Sequence, residues 1–171
     1  MPELIDEGGL AIVILGPDDW ERLRAIRLDA LLDSPTAFSS TLDREKAFAE
    51  ADWRDRLAAA FWAVADVDGV DVACAGAYLP GGVTVEAELV ALWVRPEHRG
   101  MGFGGALVET VALWAETMGC EALHAWVTEG NEIGQILYDH HGFVATGERQ
   151  PLPSHPELDE LALTRRLGDL G

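Results

Sequence analysis

The sequence predicts a mixed α/β fold with one central sheet. Two observations carry this prediction. Apolar runs of strand length alternate with segments whose apolar residues recur every three to four positions, and 49% of the 171 residues are hydrophobic. A chain of this length is typical of one domain, so we expect a single domain over residues 1–171 with its core at about 10–167.

The first half of the chain begins with a strand and two helices. Residues 11–15 form a short apolar run that Gly16 and Pro17 end, which predicts a strand. Asp18 with Glu21 predicts the start of a helix that continues to Ser34. A second helix is expected at about 42–59, and strands are expected at 61–67, 72–79 and 83–94.

In the second half, helices and strands alternate. A helix over 102–118 ends at Gly119, and a shorter one over 132–140 ends before Gly142. Residues 150–156 contain three prolines and are expected to form a stiff loop. Strands are predicted at 122–127, 143–147 and about 158–167. The predicted inner face of the longer helix carries Phe103, Leu107, Val111, Trp114 and Met118.

Charge and hydropathy argue against several classes of partner. Thirty Asp and Glu residues and twelve Lys and Arg residues give a net charge of −18. Because nucleic acids and anionic lipid surfaces repel such a polyanion, we expect neither as a partner. The longest apolar run, residues 57–65, is about half of what a membrane span needs, and the acidic N-terminus is unlike a signal peptide. We therefore expect a soluble, cytoplasmic protein.

The cysteines and histidines show no pattern of a metal site. Cys74 and Cys120 have 45 residues between them and no paired spacing, which favours two buried free thiols. No spacing of His, Asp or Glu indicates a metal, so none is predicted. His124 is expected to be partly buried with a hydrogen-bond partner, and His140 and His141 to face solvent.

The most informative segment is 99–105, which carries four glycines between an apolar strand and an apolar helix. Glycines let a ligand approach the backbone, and N–H groups at a helix start favour an anion, so the segment predicts a phosphate-bearing ligand. Gly100, Gly102 and Gly105 also have the spacing of a dinucleotide fingerprint. That motif needs its first glycine directly after the strand and an acid at the end of the next strand, and neither is present.

Two motifs resemble those of the GNAT N-acetyltransferase superfamily. One is its Gln/Arg-x-x-Gly-x-Gly/Ala motif, matched by Arg99, Gly102 and Gly104. The other is its Asn…Tyr-x-x-x-Gly-Phe signature, matched by Asn131, Tyr138, Gly142 and Phe143. The order of elements is similar over residues 10–167, and one departure is Gly134, where alanine is frequent. The resemblance implies a mostly antiparallel sheet flanked by helices on both faces and transfer of an acetyl group from acetyl-CoA to an amine. Since dimers are common in the superfamily, it also makes a homodimer an expected assembly.

The resemblance also implies roles for individual residues. The loop N–H groups hold the pyrophosphate, and the strand at 92–94 pairs with pantetheine where two strands splay apart and supplies an N–H for the oxyanion. Tyr138 is the implied general acid, and its ordinary pKa of about 10 keeps it protonated at neutral pH. Packing of its ring against the sheet is the alternative. The implied cofactor-binding residues are Leu92, Trp93, Val94, Arg99, Gly100, Met101, Gly102, Phe103, Gly104, Gly105, Asn131 and Tyr138.

The general base has several candidates. Glu88 occupies the strand position at which histone-acetylating members of the superfamily carry a catalytic glutamate, and it could face the cleft. Glu86, His124 and a chain of water molecules are the alternatives. Both carboxylates could also be solvated outward positions of a strand.

The acceptor is expected between residues 34–42 and 149–158, where the superfamily places its acceptor pocket. The region around Phe38 and Trp53 could form an aromatic wall, although aromatic residues at helical spacing are more often part of a core. The acidic charge favours a small cationic primary amine, although a single lysine beside eleven arginines indicates that much of the charge could be genomic background. Acetylation of a protein N-terminus or lysine, and a non-catalytic acyl-CoA sensor, are the alternatives.

Overall fold

One sheet runs through the residues that the computed structural model describes, which are 4–5, 9–82 and 85–168. Eight strands of these residues form it: β1 (Leu4–Ile5), β2 (Leu10–Ile14), β3 (Phe61–Val67), β4 (Val70–Tyr78), β5 (Glu86–Val94), β6 (Ala122–Thr128), β7 (Val144–Leu152) and β8 (His155–Arg166). Their spatial order is β1-β2-β3-β4-β5-β6-β8-β7. The α-helices are α1 (Trp20–Asp33), α2 (Leu42–Lys46), α3 (Glu50–Ala59), α4 (Phe103–Thr117) and α5 (Glu132–His140).

The predicted mixed α/β class with a mostly antiparallel sheet is confirmed. Among the described strands, β5 and β6 form the one parallel pair, and the other neighbours are antiparallel. Strand β1 was not predicted. The strand expected at 83–94 begins at Glu86, and residues 83 and 84 lie outside the described part of the chain.

The single helix expected at 42–59 is wrong, because two helices with separate caps occupy this segment. Thr41 caps α2 by accepting a hydrogen bond from the N–H of Arg44 at 3.2 Å. Asp52 accepts one from the N–H of Ala49 at 2.8 Å, which begins α3 as a new helix.

The stiff loop expected at 150–156 is also wrong. Strand β7 continues to Leu152, and only Pro153 and Ser154 separate it from β8. Pro151 pairs with Asp159. Proline is tolerated here because β7 is the edge strand, so its missing N–H breaks no bond to a further strand.

Two apolar layers cover the two faces of the sheet. We define the front face as the one covered by α1–α3, where Leu23, Ile26, Trp53 and Leu57 are buried. The back face lies under α4 and α5, where Leu107 and Val111 are buried as predicted. Met118, expected on the inner side of α4, is 50% exposed because the helix ends at Thr117.

A buried ion-pair cluster joins α1, α2 and α3 on the front face. Glu45 is 0% exposed and accepts hydrogen bonds from Arg27 at 2.9 and 3.0 Å and from Arg56 at 2.6 Å. Burial by itself would raise the pKa of Glu45, but the two guanidinium groups outweigh burial and hold the pKa at about 2. The charge of Glu45 therefore stabilises the packing of the three helices.

We expect Glu45→Gln to lower the free energy of unfolding at pH 7 by about 3 kcal/mol, since it leaves two arginines without their anion. The folded-state pKa lies below the unfolded value, so this stabilisation is present above about pH 4.5 and is lost as the pH falls toward 2. Urea unfolding of both proteins at pH 7 and pH 3 checks this, and the difference should fall to less than half at pH 3. The exposed pair Glu50–Arg54 supplies the control Glu50→Gln, which should change stability little. An equal loss at both pH values would contradict the charge as the cause.

Candidate active site

A cavity of about 660 Å³ opens where strands, helix starts and the segment after α1 meet. Its walls come from the second half of β5, the loop before α4, the end of β6, α5 and residues 33–38. Eleven of the twelve residues expected to bind the cofactor line it, the exception being Met101, which is 63% exposed outside the lining.

Strands β5 and β6 splay apart along one side of this cavity. Within the described residues, their pairing ends at Glu88 and His124, although β5 runs on to Val94 and β6 to Thr128. The backbone edges beyond that point face each other across the cavity without pairing. An extended polar chain can bind such edges by backbone hydrogen bonds.

A bulge in β5 accompanies this divergence. Ala91 has φ of +58°, and the register against β4 skips one residue between Val90 and Trp93. A bulge bends and twists its strand, which turns the end of β5 away from β6. No signal in the sequence indicates it, since alanine rarely adopts this conformation.

The four glycines of the loop form two pairs, and each pair requires glycine for a different reason. Gly100 (φ +76°) and Gly102 (φ +88°) adopt the left-handed conformation, and a Cβ built on either would meet no atom within 4 Å. By contrast, a Cβ on Gly104 would lie 3.1 Å from Leu137, and one on Gly105 would lie 2.5 Å from Nε2 of His141. The first pair therefore shapes an open turn before α4, and the second pair allows α5 to pack closely on α4.

The open turn presents the start of α4 to the cavity. Gly102 is the N-cap, and Phe103, Gly104 and Gly105 form the first turn, whose N–H groups have no partner within the helix. The N-terminus of this 15-residue helix favours negative charge. The arrangement can hold a phosphate group, in line with the interpretation of the sequence.

Helix α5 brings Asn131 and Tyr138 to the opposite wall. Asn131 caps the helix by accepting a hydrogen bond from the N–H of Gly134 at 3.1 Å, and a Cβ on Gly134 would lie 2.8 Å from this side chain. Glycine in place of the frequent alanine thus gives Asn131 room. Tyr138 is 7% exposed with its ring edge against Phe143, and burial raises the pKa of its hydroxyl, which keeps the proton at neutral pH.

Glu88 lies on the front face, one hydrogen bond from the cavity wall. Its Oε1 accepts from Nε1 of Trp126, a lining residue, at 3.2 Å, and its Oε2 accepts from the hydroxyl of Tyr78. Burial, followed by the Glu88 carboxylate, raises the pKa of Tyr78 to about 12, so this hydroxyl remains a donor. Contrary to expectation, Glu88 itself is not among the lining residues, and it contacts the cavity wall through its hydrogen bond from Trp126.

Glu160 is a further acidic residue on this face, and the sequence did not single it out. It is 7% exposed, pairs in register with Thr128, and accepts a hydrogen bond from Gln150 at 2.6 Å. Burial raises the pKa of Glu160, and the Glu88 carboxylate raises it further. Strand β8 contains other acidic residues, and the burial of Glu160 and its proximity to Glu88 become evident only in the folded protein.

The other candidates for acid–base work lie farther from the cavity. His124 and Glu86 form a pair at 3.2 Å, which confirms His124 as a partly buried, partnered residue. His140 is exposed as predicted, but His141 is not, because its ring packs on Gly105 and contacts Glu109 at 3.0 Å.

The cysteines match their prediction. Both are buried thiols outside any disulfide, and burial raises the pKa of Cys74 to about 12. Among the described residues, no three His, Cys, Asp or Glu side chains are grouped as a metal site. In the same residues, no helix has the length and apolar character to cross a membrane.

The two segments expected to surround the acceptor do meet at the cavity. Residues 34–38 and Leu158 line it. The hydroxyl of Ser154 donates to the carbonyl of Phe38 at 2.5 Å, and that of Thr128 donates to the carbonyl of Thr36 at 2.7 Å. Phe38 forms part of the wall, but Trp53 does not, because it is 0% exposed inside the front core.

Comparisons of the sequence and the fold with known proteins point to one family. In sequence, residues 20–143 match the Acetyltransferase (GNAT) family. No curated protein matches the chain. Among solved structures, an acetyltransferase of the GNAT family from Streptococcus pneumoniae is 21% identical, with a TM-score of 0.79 over 93% of this chain and 99% of that one.

Two other solved structures share the fold. A protein from Salmonella typhimurium, solved with its cofactor acetyl-CoA, is 20% identical with a TM-score of 0.72 over 95% of this chain and 96% of that one. A ribosomal-protein-alanine N-acetyltransferase from Brucella melitensis is 25% identical with a TM-score of 0.71 over 91% and 99%. The family match covers most of the chain and includes both motifs at the cavity, and on that ground the chain belongs to the GNAT family of acetyltransferases.

Proposed function

We propose that this acyltransferase moves the acetyl group of acetyl-CoA directly to a primary amine of a small cationic molecule. One observation carries the proposal. A single cavity brings together the start of α4, the splayed edges of β5 and β6, and Trp126, which is hydrogen-bonded to Glu88 on the front face. The first two features suit an anionic, extended cosubstrate, and the third suits an amine.

The residues present fit acetyl-CoA. The open turn at Gly100 and Gly102 leaves room for a diphosphate at the N–H groups of α4. The unpaired edge of β5 at Leu92, Trp93 and Val94 can bond the amides of pantetheine, and one N–H there can stabilise the negative charge that develops on the thioester oxygen.

In the proposed reaction, the amine nitrogen attacks the thioester carbonyl, so that a C–N bond forms and the C–S bond breaks. Glu88 takes the proton of the incoming ammonium through a water molecule, since Trp126 separates the carboxylate from the cavity. Tyr138, which its raised pKa keeps protonated, donates its proton to the departing thiolate. The second proton, which the nitrogen loses as the amide forms, restores the phenol through solvent.

The front-face charge favours a cation over other acceptors. Glu88 and Glu160 lie close enough for one carboxylate to raise the pKa of the other. At the rim, Glu129 and Asp159 share the cation of Arg149, at 2.8 and 2.9 Å. A cleft with this sign concentrates positively charged molecules.

A protein N-terminus is the second candidate acceptor, because the similar Brucella melitensis structure is a ribosomal-protein-alanine N-acetyltransferase. The Ser154–Phe38 hydrogen bond argues for the small molecule, since it joins the two segments between which a peptide would lie. Free thiol released from acetyl-CoA with a small diamine or with an alanine-terminated peptide decides between them. If the protein binds acetyl-CoA but releases no thiol with either acceptor, it acts as a sensor.

Gly102→Val is expected to weaken acetyl-CoA binding by about tenfold or more, because a side chain would fill the opening before α4. The φ of +88° adds strain of roughly 1–2 kcal/mol, which lowers stability without abolishing folding. Calorimetric titration with acetyl-CoA measures the effect.

Gly119→Val is the matched control, with φ of +85° and open space beyond the other end of α4. It should lose similar stability and keep its affinity. If Gly102→Val kept the same acetyl-CoA affinity as Gly119→Val and the unmodified protein, the cofactor would bind elsewhere.

A further inference from the structure

Two ion pairs tie the last turn of α1 to the loop that precedes α4. Asp29 contacts Arg95 at 2.8 Å, and Asp33 contacts Arg99 at 2.8 Å. Oδ2 of Asp33 also accepts hydrogen bonds from Nε1 of Trp93 at 3.0 Å and from the hydroxyl of Ser34 at 2.7 Å. Asp33, Trp93 and Arg99 line the cavity, whereas Asp29 and Arg95 stand outside its lining.

This arrangement places a carboxylate in the wall of a cavity that suits an anion. Hydrogen bonds from Trp93, then Ser34 and Arg99, hold the pKa of Asp33 below its usual value, so it is ionised at neutral pH. A diphosphate in the same cavity would be repelled by an unpaired carboxylate. Arg99 is the cation that removes this repulsion, and its Nε is fixed at the same time by the carbonyl of Val94 at 3.0 Å.

We propose, on the premise that acetyl-CoA occupies this cavity, that Asp33 is a positioning residue that acts through Arg99. Asp33 holds the guanidinium at the entrance to the glycine loop, and Arg99 in turn cancels the charge of Asp33. Because residues 34–38 follow Asp33 directly and line the acceptor side, the same contact fixes that wall relative to the cofactor loop.

The test is a double-mutant cycle on acetyl-CoA affinity, measured by calorimetry with Asp33→Asn, Arg99→Gln and the double variant. Arg99→Gln alone should weaken binding by about 10–30-fold, because it removes a cation and also exposes the repulsion of Asp33. The double variant should bind about 3–10-fold more tightly than Arg99→Gln, since the repelling charge has gone. Asp33→Asn alone should raise the KM of the amine more than that of acetyl-CoA, because the wall at 34–38 is released.

Asp29→Asn is the matched control, because it removes an ion pair between the same two elements outside the cavity. It should not rescue Arg99→Gln, and Asp33→Ser gives a second variant if Asp33→Asn does not fold. A double variant that binds as weakly as Arg99→Gln, or rescue by Asp29→Asn, would overturn the role of Asp33. Absence of acetyl-CoA binding by the unmodified protein would instead overturn the proposed function, and this inference with it.

Discussion

Tyr138→Phe should lower kcat for acetyl transfer by about 10²–10⁴-fold and leave the KM of acetyl-CoA nearly unchanged. The hydroxyl acts after binding, when the thiolate departs, so its loss affects the chemical step alone. The ring stays packed against Phe143 in the variant, and the thermal midpoint should therefore remain close to that of the unmodified protein. Steady-state thiol release at saturating amine measures both constants.

The alternative for Tyr138 is a purely structural ring. Because the side chain is 7% exposed at the cavity wall, the hydroxyl could contribute to packing without donating a proton. A kcat within about twofold of the unmodified value would support that alternative and assign protonation of the sulfur to water.

Glu88→Gln should lower kcat/KM for the amine by about 10²-fold near neutral pH. A glutamine can keep both hydrogen bonds, since its oxygen can accept from Trp126 and its amide can donate to the phenol oxygen of Tyr78. The variant therefore removes the base and preserves the local structure.

Glu86→Gln is the control for Glu88, because Glu86 lies two residues earlier on the same strand and is half exposed. Its kcat/KM for the amine should stay within about twofold of the unmodified value. If Glu86→Gln lowered kcat/KM by about 10²-fold and Glu88→Gln did not, Glu86 would be the base.

Local patterns in the sequence were sufficient to predict most of the elements and the loop and helix residues that line the cavity. Gly100 and Gly102 mark a turn at a helix start, and this is a signal that neighbouring residues alone produce. Asn131 caps α5 and Tyr138 lies within it, so their relative position follows from their spacing in the sequence. The predicted element boundaries were wrong where a helix cap or an edge strand determines them. Examples are the cap at Ala49 and the strand pairing of Pro151.

The proposed acceptor side of the cavity depends on contacts between distant segments, which single-sequence patterns do not record. Glu160 joins Glu88 only because β8 pairs with β6, and Asp33 meets Arg99 across 66 residues of chain. The bulge at Ala91 follows from strand pairing and not from its residue type. Trp53 stayed open between a core and a wall position, since an aromatic residue at helical spacing fits either, and the fold places it in the front core.

The most direct test of the proposed acceptor is kcat/KM with acetyl-CoA for primary amines of equal size that are cationic, neutral, zwitterionic or anionic, at low and high salt. The acidic front face predicts that the cationic amines react fastest. Their kcat/KM should fall as salt rises, because a Debye length of about 8 Å at physiological ionic strength already screens steering between exposed charges. Faster transfer to neutral or anionic amines, at rates indifferent to salt, would contradict it.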